Sequence, residues 1–506
     1  MATTVLPKPE VKVPSFNEVS RHNIIGLQTQ IRSTLDKAHH VAIDCEFTGL
    51  GSTKNTRATN IEERYAALVD VASNHAMVSF GLSVFEATDP APRIPDSQKT
   101  SVEYAYKVHN FNFLMLKSTM FSVSPDSAIF LVDNGFDFNK QYRDGIFFTA
   151  GNDPIVEVTH ADTNQIMRNI FLHIITRNVP IVVHNGLLDL LFIYHSLYAE
   201  LPKTLEVFVA DLSDMFPAGI YDTKYVSDYV TKEKASFLAY LFRKYEREQA
   251  AAKIEGKSAH VTCAIEDRMS VVEEKWRPPP SGKRKKKMYP ETGKPFCEQY
   301  AAHGYCNRGR YCTKSHDLDL ILDYELGVIS PTSKKRRHSD SPGLGPDAEA
   351  PSQNGITDSA PKTPAAITGA KSMTACKNQQ VAFTSSDTNT PTSAPTPTSF
   401  PSSTPQPPAV TPDGTLFEKY HSACFDAYMT GFIFARQILT HTPPPANKME
   451  LANKLYLMGK SMPLLVQKSA FAKLSPAHLA KKDKVLLAQC EPRGRAVVEG
   501  GVAGAL

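Results

Sequence analysis

Two acids, Asp44 and Glu46, stand two residues apart at the end of a β-branched run in "HHVAIDCEFTGLG". In an extended strand, side chains at i and i+2 share a face, so this stretch sets two carboxylates side by side. Like charges that close repel, and one takes up a proton unless cations lie between them. Divalent metal is the natural partner, and Mg²⁺ prefers hard oxygen ligands completed by water and phosphate. One pair cannot hold two metals, so further acids must come from distant sequence. Asp189 in "VVHNGLLD" falls in the first turn of an apolar helix, and Asp426 lies in the apolar run "ACFDAYMTGFIFA". A lone charge is costly in either place. His421, five residues before Asp426, has the pKa range of a general base. Four acids and a histidine together suit two-metal phosphoryl chemistry, in which water activation and leaving-oxygen stabilisation are shared between two ions. Each motif alone also reads as strand-end polarity, a helix cap or a satisfied core pair; the ordered set argues for chemistry.

A second cluster is "CEQYAAHGYCNRGRYCTKSH", where Cys297, Cys306, Cys312 and His316 are spaced Cys-x8-Cys-x5-Cys-x3-His. Three thiolates and one imidazole make a closed tetrahedral Zn²⁺ site. So short a segment has no core of its own, and metal binding would supply its folding energy. His303 is a rival ligand on paper. Phe296, Tyr300, Tyr305 and Tyr311 are candidates to stack on bases, with Lys294, Arg308, Arg310 and Lys314 near phosphates. The same aromatics can instead pack around the metal.

The elements that must position these residues follow from hydrophobic periodicity. Residues 15–38 predict an amphipathic helix. "HVAIDCEF", 75–87 and 104–116 are rich in Val, Phe and Tyr and partly alternate, which predicts a three-stranded antiparallel meander. "SPDSAIFLVDNG", "DTNQIMRNIFLHIITRN" and "KASFLAYLFRKYERE" predict helices. Residues 180–198 predict a buried strand, a His-Asn-Gly turn and an apolar helix. The pattern is α/β. Residues 331–410 hold 13 of the 36 prolines and only Phe383 and Phe400 as aromatics, too little apolar surface to offset the entropy of ordering. The apolar helix predicted over 416–441 cannot stand alone, so it is expected to return to the first domain. The expected layout is a tail (1–14), a domain in two parts (15–250 and 411–475) and a flexible tail (476–506). Between the two parts lie a basic linker (251–290), the Cys/His module (291–320) and a disordered Pro/Ser/Thr-rich linker (321–410).

Composition sets the outer bounds. The 506 residues are 42% hydrophobic and 21% charged, enough for a large core. The net charge of +4 says little, but "GKRKKK" (282–287) and "KKRR" (334–337) are clustered as in nuclear import signals or solvated linkers. Of the eight cysteines, five are scattered, which does not suggest a disulfide framework but a reducing compartment. The N-terminus has no apolar signal core, and no stretch reaches the roughly 18 apolar residues of a membrane span. A soluble, intracellular protein without a membrane partner is expected.

The ordered set Asp44-x-Glu46, Asp189 in "HNGLLD" and His421-x4-Asp426 resembles the DEDD-type 3′ exonucleases of the histidine subclass. More narrowly it resembles their deadenylase branch, which includes poly(A)-specific ribonuclease; "NGFDFNKQYRDGI", "IEERY" and "GIYDTKY" look like that branch. The resemblance covers roughly 20–245 and 411–440. It implies a ribonuclease H-like mixed sheet flanked by helices, split by the insertion described above. It implies two Mg²⁺ ions on Asp44, Glu46, Asp189 and Asp426, with His421 as general base. The implied reaction releases nucleoside 5′-monophosphates from a 3′-hydroxyl end of RNA. Asp222 in "YDTKY" is a fifth acid, expected to be structural. The Cys/His spacing resembles the CCCH zinc-finger family, whose members typically bind single-stranded RNA. Together with "FPAGIYDTKY", "FDAYMTG" and "NKLYLMGKSMPLLVQKS", it resembles a nuclear, Cajal-body-associated subgroup that trims small nuclear and other small non-coding RNAs. The basic run after the module is shorter than in that subgroup. The implied partners are RNA 3′ ends and A-rich tails, small nuclear RNAs with their ribonucleoprotein components, Cajal-body proteins and the import machinery. The implied location is the nucleus, in Cajal bodies and speckles. The alternative from another class is an RNA-binding adaptor or growth regulator that uses the fold as a platform. In the modular picture, Cys312→Ala slows trimming or blunts its selectivity but leaves the active centre live.

Overall fold

The β-branched run that opens the first motif becomes the strand around which the sheet is built. The computed structural model describes residues 6–9, 14–88, 103–152, 161–256, 259–265, 294–309, 312–329, 422–441 and 450–490. The strands are β1 (Asn17–Val19), β2 (His40–Phe47), β3 (Met77–Ala87), β4 (Glu103–Lys117), β5 (Ile146–Phe148), β6 (Ile181–Val183), β7 (Ile220–Asp222), β8 (His260–Ile265), β9 (Lys454–Leu455) and β10 (Leu464–Leu465). Their order is β1-β4-β3-β2-β6-β7-β9-β10. β2, β3 and β4 form the antiparallel meander, while β6 and β7 continue the sheet parallel to β2. The sheet is therefore mixed, and β2 lies where its two halves meet. The far edge of the 15-residue β4 is covered in turn by β8, β1 and β5. Covering it removes a row of backbone groups that would otherwise recruit foreign strands.

Alternation along β2 sends its residues to two cores. Val41, Ile43, Cys45 and Phe47 join one, with the helices Ile24–Leu35 and Ala161–Arg177 behind them. His40, Ala42, Asp44 and Glu46 point to the other face, where the helix Ala423–His441 lies. His40 Nε2 is 3.3 Å from the Gly431 carbonyl, and its ring meets Phe434 at 4.9 Å. Two glycines let this helix sit close. A Cβ on Gly81, the β3 partner of Asp44, would come within 2.0 Å of the Ala423 carbonyl oxygen. One on Gly431 would strike the Phe85 ring at 2.1 Å.

The elements depart from the sequence pattern at several points. Residues 15–38 are not one helix: Ser20 N–H donates to Asn23 Oδ1 at 2.8 Å and Asn23 Nδ2 to the Glu18 carbonyl at 2.9 Å, closing a turn. That turn frees Asn17–Val19 to pair with Phe111–Phe113, and the helix begins at Ile24. The helix Ile61–Asn74, capped by Asn60 accepting from the Glu62 N–H, intervenes between β2 and β3. β8 lies within the stretch expected as a basic linker, because Glu103–Val108 offers it an open strand edge. The segment expected as a flexible tail opens with the helix Pro476–Cys490. Its His478 is buried, 2.6 Å from the Tyr198 hydroxyl and 2.8 Å from Asp214. The disordered linker expected over 321–410 does not begin at 321: the helix Leu318–Glu325 runs into it and buries Ile321 and Leu322. The rest of that linker from 330, and the basic runs at 282–287 and 334–337, lie outside the described residues. Among the described residues, no helix is long and apolar enough to cross a membrane.

Candidate active site

Three distant segments deliver acids to one cleft. Asp44 and Glu46 project from the same face at the end of β2. Asp426 comes from the first turn of Ala423–His441, the helix that lies across that face. One oxygen from each of Asp44, Glu46 and Asp426 falls within 4.8 Å of the others. Asp189 arrives from the opposite direction. β6 ends in the turn His184-Asn185-Gly186, with Asn185 at φ +60°, and the helix Leu187–Ile193 carries Asp189 in its first turn. Asp189 Oδ1 accepts the backbone N–H of Cys45 at 3.0 Å, which ties it to the residue between the β2 acids. Asp189 and Asp426 thus stand at helix N-termini, where the aligned peptide dipoles favour negative charge. All four acids line one cleft of about 720 Å³.

The charges oppose one another. Burial, then Asp189, Asp426 and Glu46 in that order, hold the Asp44 carboxyl well above the usual carboxylate range. Burial pushes Asp189 up to about 7. Four carboxyl groups gathered at such cost call for cations. The 4.8 Å spread is one that Mg–O bonds of about 2.1 Å can bridge with little movement. The donor set therefore fits hard divalent metal. His421 lies outside the described residues, one position before Ser422, whose hydroxyl accepts the Phe425 N–H at 3.4 Å.

Around the four acids lie Asp222, expected from the sequence to be structural, and residues that the sequence did not single out. Asp222 is fully buried and ties three segments together. Its Oδ1 accepts the N–H of Asn185 at 2.8 Å and of Lys224 at 3.0 Å, and its Oδ2 that of Tyr456 at 2.9 Å. It holds the turn that presents Asp189, as a structural acid should. His184, in the same turn, is half-buried with its Nδ1 2.8 Å from Thr223 Oγ1, and desolvation drives its pKa down to about 3. It is neutral near pH 7 and too weak a base to hold an abstracted proton. Arg57, Arg64 and Phe130 line the cleft. Arg64 is immobilised on the carbonyls of Ala58 (3.2 Å) and Met458 (3.1 Å). The Asn-Gly turn was a usable signal for the backbone at Asn185; nothing local marks the arginines as cleft residues.

The second cluster also closes. Cys297, Cys306, Cys312 and His316 each offer a donor within 4.8 Å of the others. A tetrahedral Zn²⁺ site with bonds of about 2.0–2.3 Å needs donors roughly 3.5–3.8 Å apart, so the set fits. His303 is outside this group; its ring stacks beside Tyr305 at 5.8 Å. Burial resists ionisation of Cys306, yet the N–H groups of Arg308 and Gly309 and the neighbouring thiols bring its pKa below the usual value. The aromatics divide. Phe296 is 3% exposed and Tyr300 half-buried, both packed into the second core, whereas Tyr305 is 59% exposed. Arg310 and Tyr311 lie outside the described residues. The sequence could not show that two of the presumed base-stackers face the domain.

A mixed sheet flanked by helices, with paired carboxylates at the end of its central strand met by acids on two helix N-termini, is the α/β arrangement that the sequence resemblance implied. The chain belongs to the CAF1 ribonuclease family, whose model matches residues 19–165 and 152–434. Poly(A)-specific ribonuclease PARN of Danio rerio is 32% identical over 142 residues, 26% of this chain and 20% of that protein. The same enzyme of Homo sapiens is 30% identical over 142 residues, with the same shares. The chain thus spans about a fifth of the length of these relatives. The pre-piRNA 3′-exonuclease trimmer of Bombyx mori is 39% identical over 67 residues, 12% of each chain. Among solved structures, S. pombe Pop2p in its Mg²⁺- and Mn²⁺-bound form aligns with a TM-score of 0.32 at 17% identity. It covers 48% of this chain and 90% of that one.

Proposed function

We propose that this protein is a Mg²⁺-dependent 3′-to-5′ exoribonuclease of the deadenylase type, releasing nucleoside 5′-monophosphates. The gathering of Asp44, Glu46, Asp189 and Asp426 in one cleft carries the reading. When bound there, two Mg²⁺ ions supply an activated water and charge stabilisation at the leaving oxygen. Asp44 and Glu46 hold their places through the pairing of β2 with β3. Asp189 is oriented by the Cys45 N–H, and Asp222 fixes the turn before it. His421 takes the water's proton, a task that suits an imidazole of ordinary pKa.

The substrates we propose are oligoadenylated or extended 3′ tails of small nuclear and other small non-coding RNAs. Family membership supports an RNA substrate, and the silkworm relative bears the name of a small-RNA trimmer. The Cys/His cluster, holding one structural Zn²⁺, adds a contact to RNA through Tyr305. The basic runs support a nuclear location, and Cajal-body and ribonucleoprotein partners are what the sequence resemblance implies. The test is purified full-length protein on an RNA with a 3′ oligo(A) tail, with Mg²⁺ and with chelator. Stepwise shortening from the 3′-hydroxyl that disappears with Asp44→Ala is expected. Unchanged RNA, or equal shortening by the variant, sinks the proposal.

A further inference from the structure

The contacts that seat the Cys/His cluster lead toward Asp426. The His316 ring stacks flat on Tyr300, with centroids 4.4 Å apart and 8° between the planes. Tyr300 meets Phe237 edge-on at 5.7 Å, and a Cβ on Gly304 would strike Phe237 at 2.6 Å. Phe296, beside Cys297, meets Tyr324 at 5.2 Å. Phe237 begins the helix Leu238–Glu255, and Tyr324 lies on the helix Leu318–Glu325. Two buried arginines lock these helices together: Arg243 on Asp319 at 2.8 Å and Arg247 on Asp323 at 2.6 Å. On the same helix, one residue before Arg243, Phe242 meets Phe425, Tyr428 and Phe432 at 5.9, 5.9 and 5.3 Å. Phe425 immediately precedes Asp426.

We infer that the metal-loaded Cys/His cluster is a positioning element of the acidic site, acting through Tyr300, Phe237 and the helix Leu238–Glu255 on the helix that carries Asp426. The inference rests on the metal assignments proposed above and adds a path between the two clusters. Phe296 and Tyr300 pack against the domain, which couples the cluster to its core. Close-packed interiors transmit displacement, and coupling between two sites is reciprocal.

Two variants of the full chain separate the path from the ligands. Cys312→Ser removes a cluster ligand; Phe237→Ala cuts the path and leaves all four ligands in place. Ile31→Ala, in the opposite core, controls for general loss of stability. The readouts are zinc content, Mn²⁺ affinity of the RNA-free protein by electron paramagnetic resonance, and amide hydrogen exchange over 423–435. We expect Cys312→Ser and Phe237→Ala each to weaken Mn²⁺ binding about tenfold and to speed exchange over 423–435. Phe237→Ala should keep its zinc, and Ile31→Ala its Mn²⁺ affinity. Phe237→Ala with unchanged affinity and exchange overturns the inference, as does an equal loss of affinity in Ile31→Ala. If Cys312→Ser does not fold, Phe237→Ala decides. A wild-type chain whose Mn²⁺ binding is absent, or indifferent to Asp44→Asn, overturns the reading of the acidic site instead; exchange over 423–435 then still decides the path.

Discussion

Asp189→Asn should stabilise the metal-free protein and weaken its response to metal. Asp189 is 9% exposed, and burial raises its pKa from 3.8 to about 7. A shift of about 3 units, at ~1.36 kcal/mol per unit, corresponds to ~4 kcal/mol of stability lost once pH exceeds the folded-state value. Relaxation and water in the cleft reduce such figures, so about 2 kcal/mol is the gain expected for asparagine in chelator at pH 7.5. The new side chain keeps an oxygen for the Cys45 N–H. Calorimetry should show the unfolding midpoint rise by about 4 °C. The folded state holds this proton up to about pH 7, whereas the unfolded chain releases it near 4. Metal-free wild type therefore loses stability as pH rises from about 4 to 7, and the variant lacks that slope. Mg²⁺ at a hundredfold excess over Kd should stabilise wild type by ~3 kcal/mol and the variant far less, so the two converge or cross. A metal-free variant less stable than wild type, or equal stabilisation of both by Mg²⁺, refutes the reasoning.

Other perturbations test the frame around the site. Gly81→Ala pushes a methyl into the Ala423 backbone; it should cost about 2 kcal/mol in urea unfolding and abolish RNA shortening while far-UV dichroism stays native-like. Arg247→Met leaves Asp323 buried with Lys8, among the described residues, as the remaining cation beside it. A loss of about 3 kcal/mol is expected in urea, largely recovered by adding Asp323→Leu. Ending the chain before Pro476 uncovers Tyr198 and Asp214 and should lower stability by ~3 kcal/mol, read by urea unfolding.

What the sequence made legible was whatever local chemistry decides. The meander was visible because Val, Phe and Tyr at alternating positions favour pleated, half-buried strands. The acids were visible because each sits in apolar surroundings where a charge needs a reason. What stayed hidden depends on partners far away in sequence. Asn17–Val19 carries no pattern of its own and is a strand only because β4 is long enough to accept it. His260–Ile265 does alternate, but its reason to pair is the exposed edge of Glu103–Val108, some 150 residues earlier. The helix Ile61–Asn74 had an Asn cap and two glutamates in its first turn, a signal available but unused. Phe296 and Tyr300 have the same chemistry whether they face a base or a core, so only the tertiary structure tells which.

The helix Ala423–His441 has a further consequence, for the order in which the protein is made. Asp44 leaves the ribosome about 380 residues ahead of Asp426. At about 5–20 residues per second, that gap lasts roughly 20–80 s. Throughout it the nascent chain presents the bare Gly81 and Phe85 face of the sheet and an incomplete acidic cluster. A message that stops within the interval yields a product that lacks Asp426 and shows apolar surface to the quality-control machinery. Placing this acid so late makes assembly of the proposed metal centre a check on synthesis through Asp426.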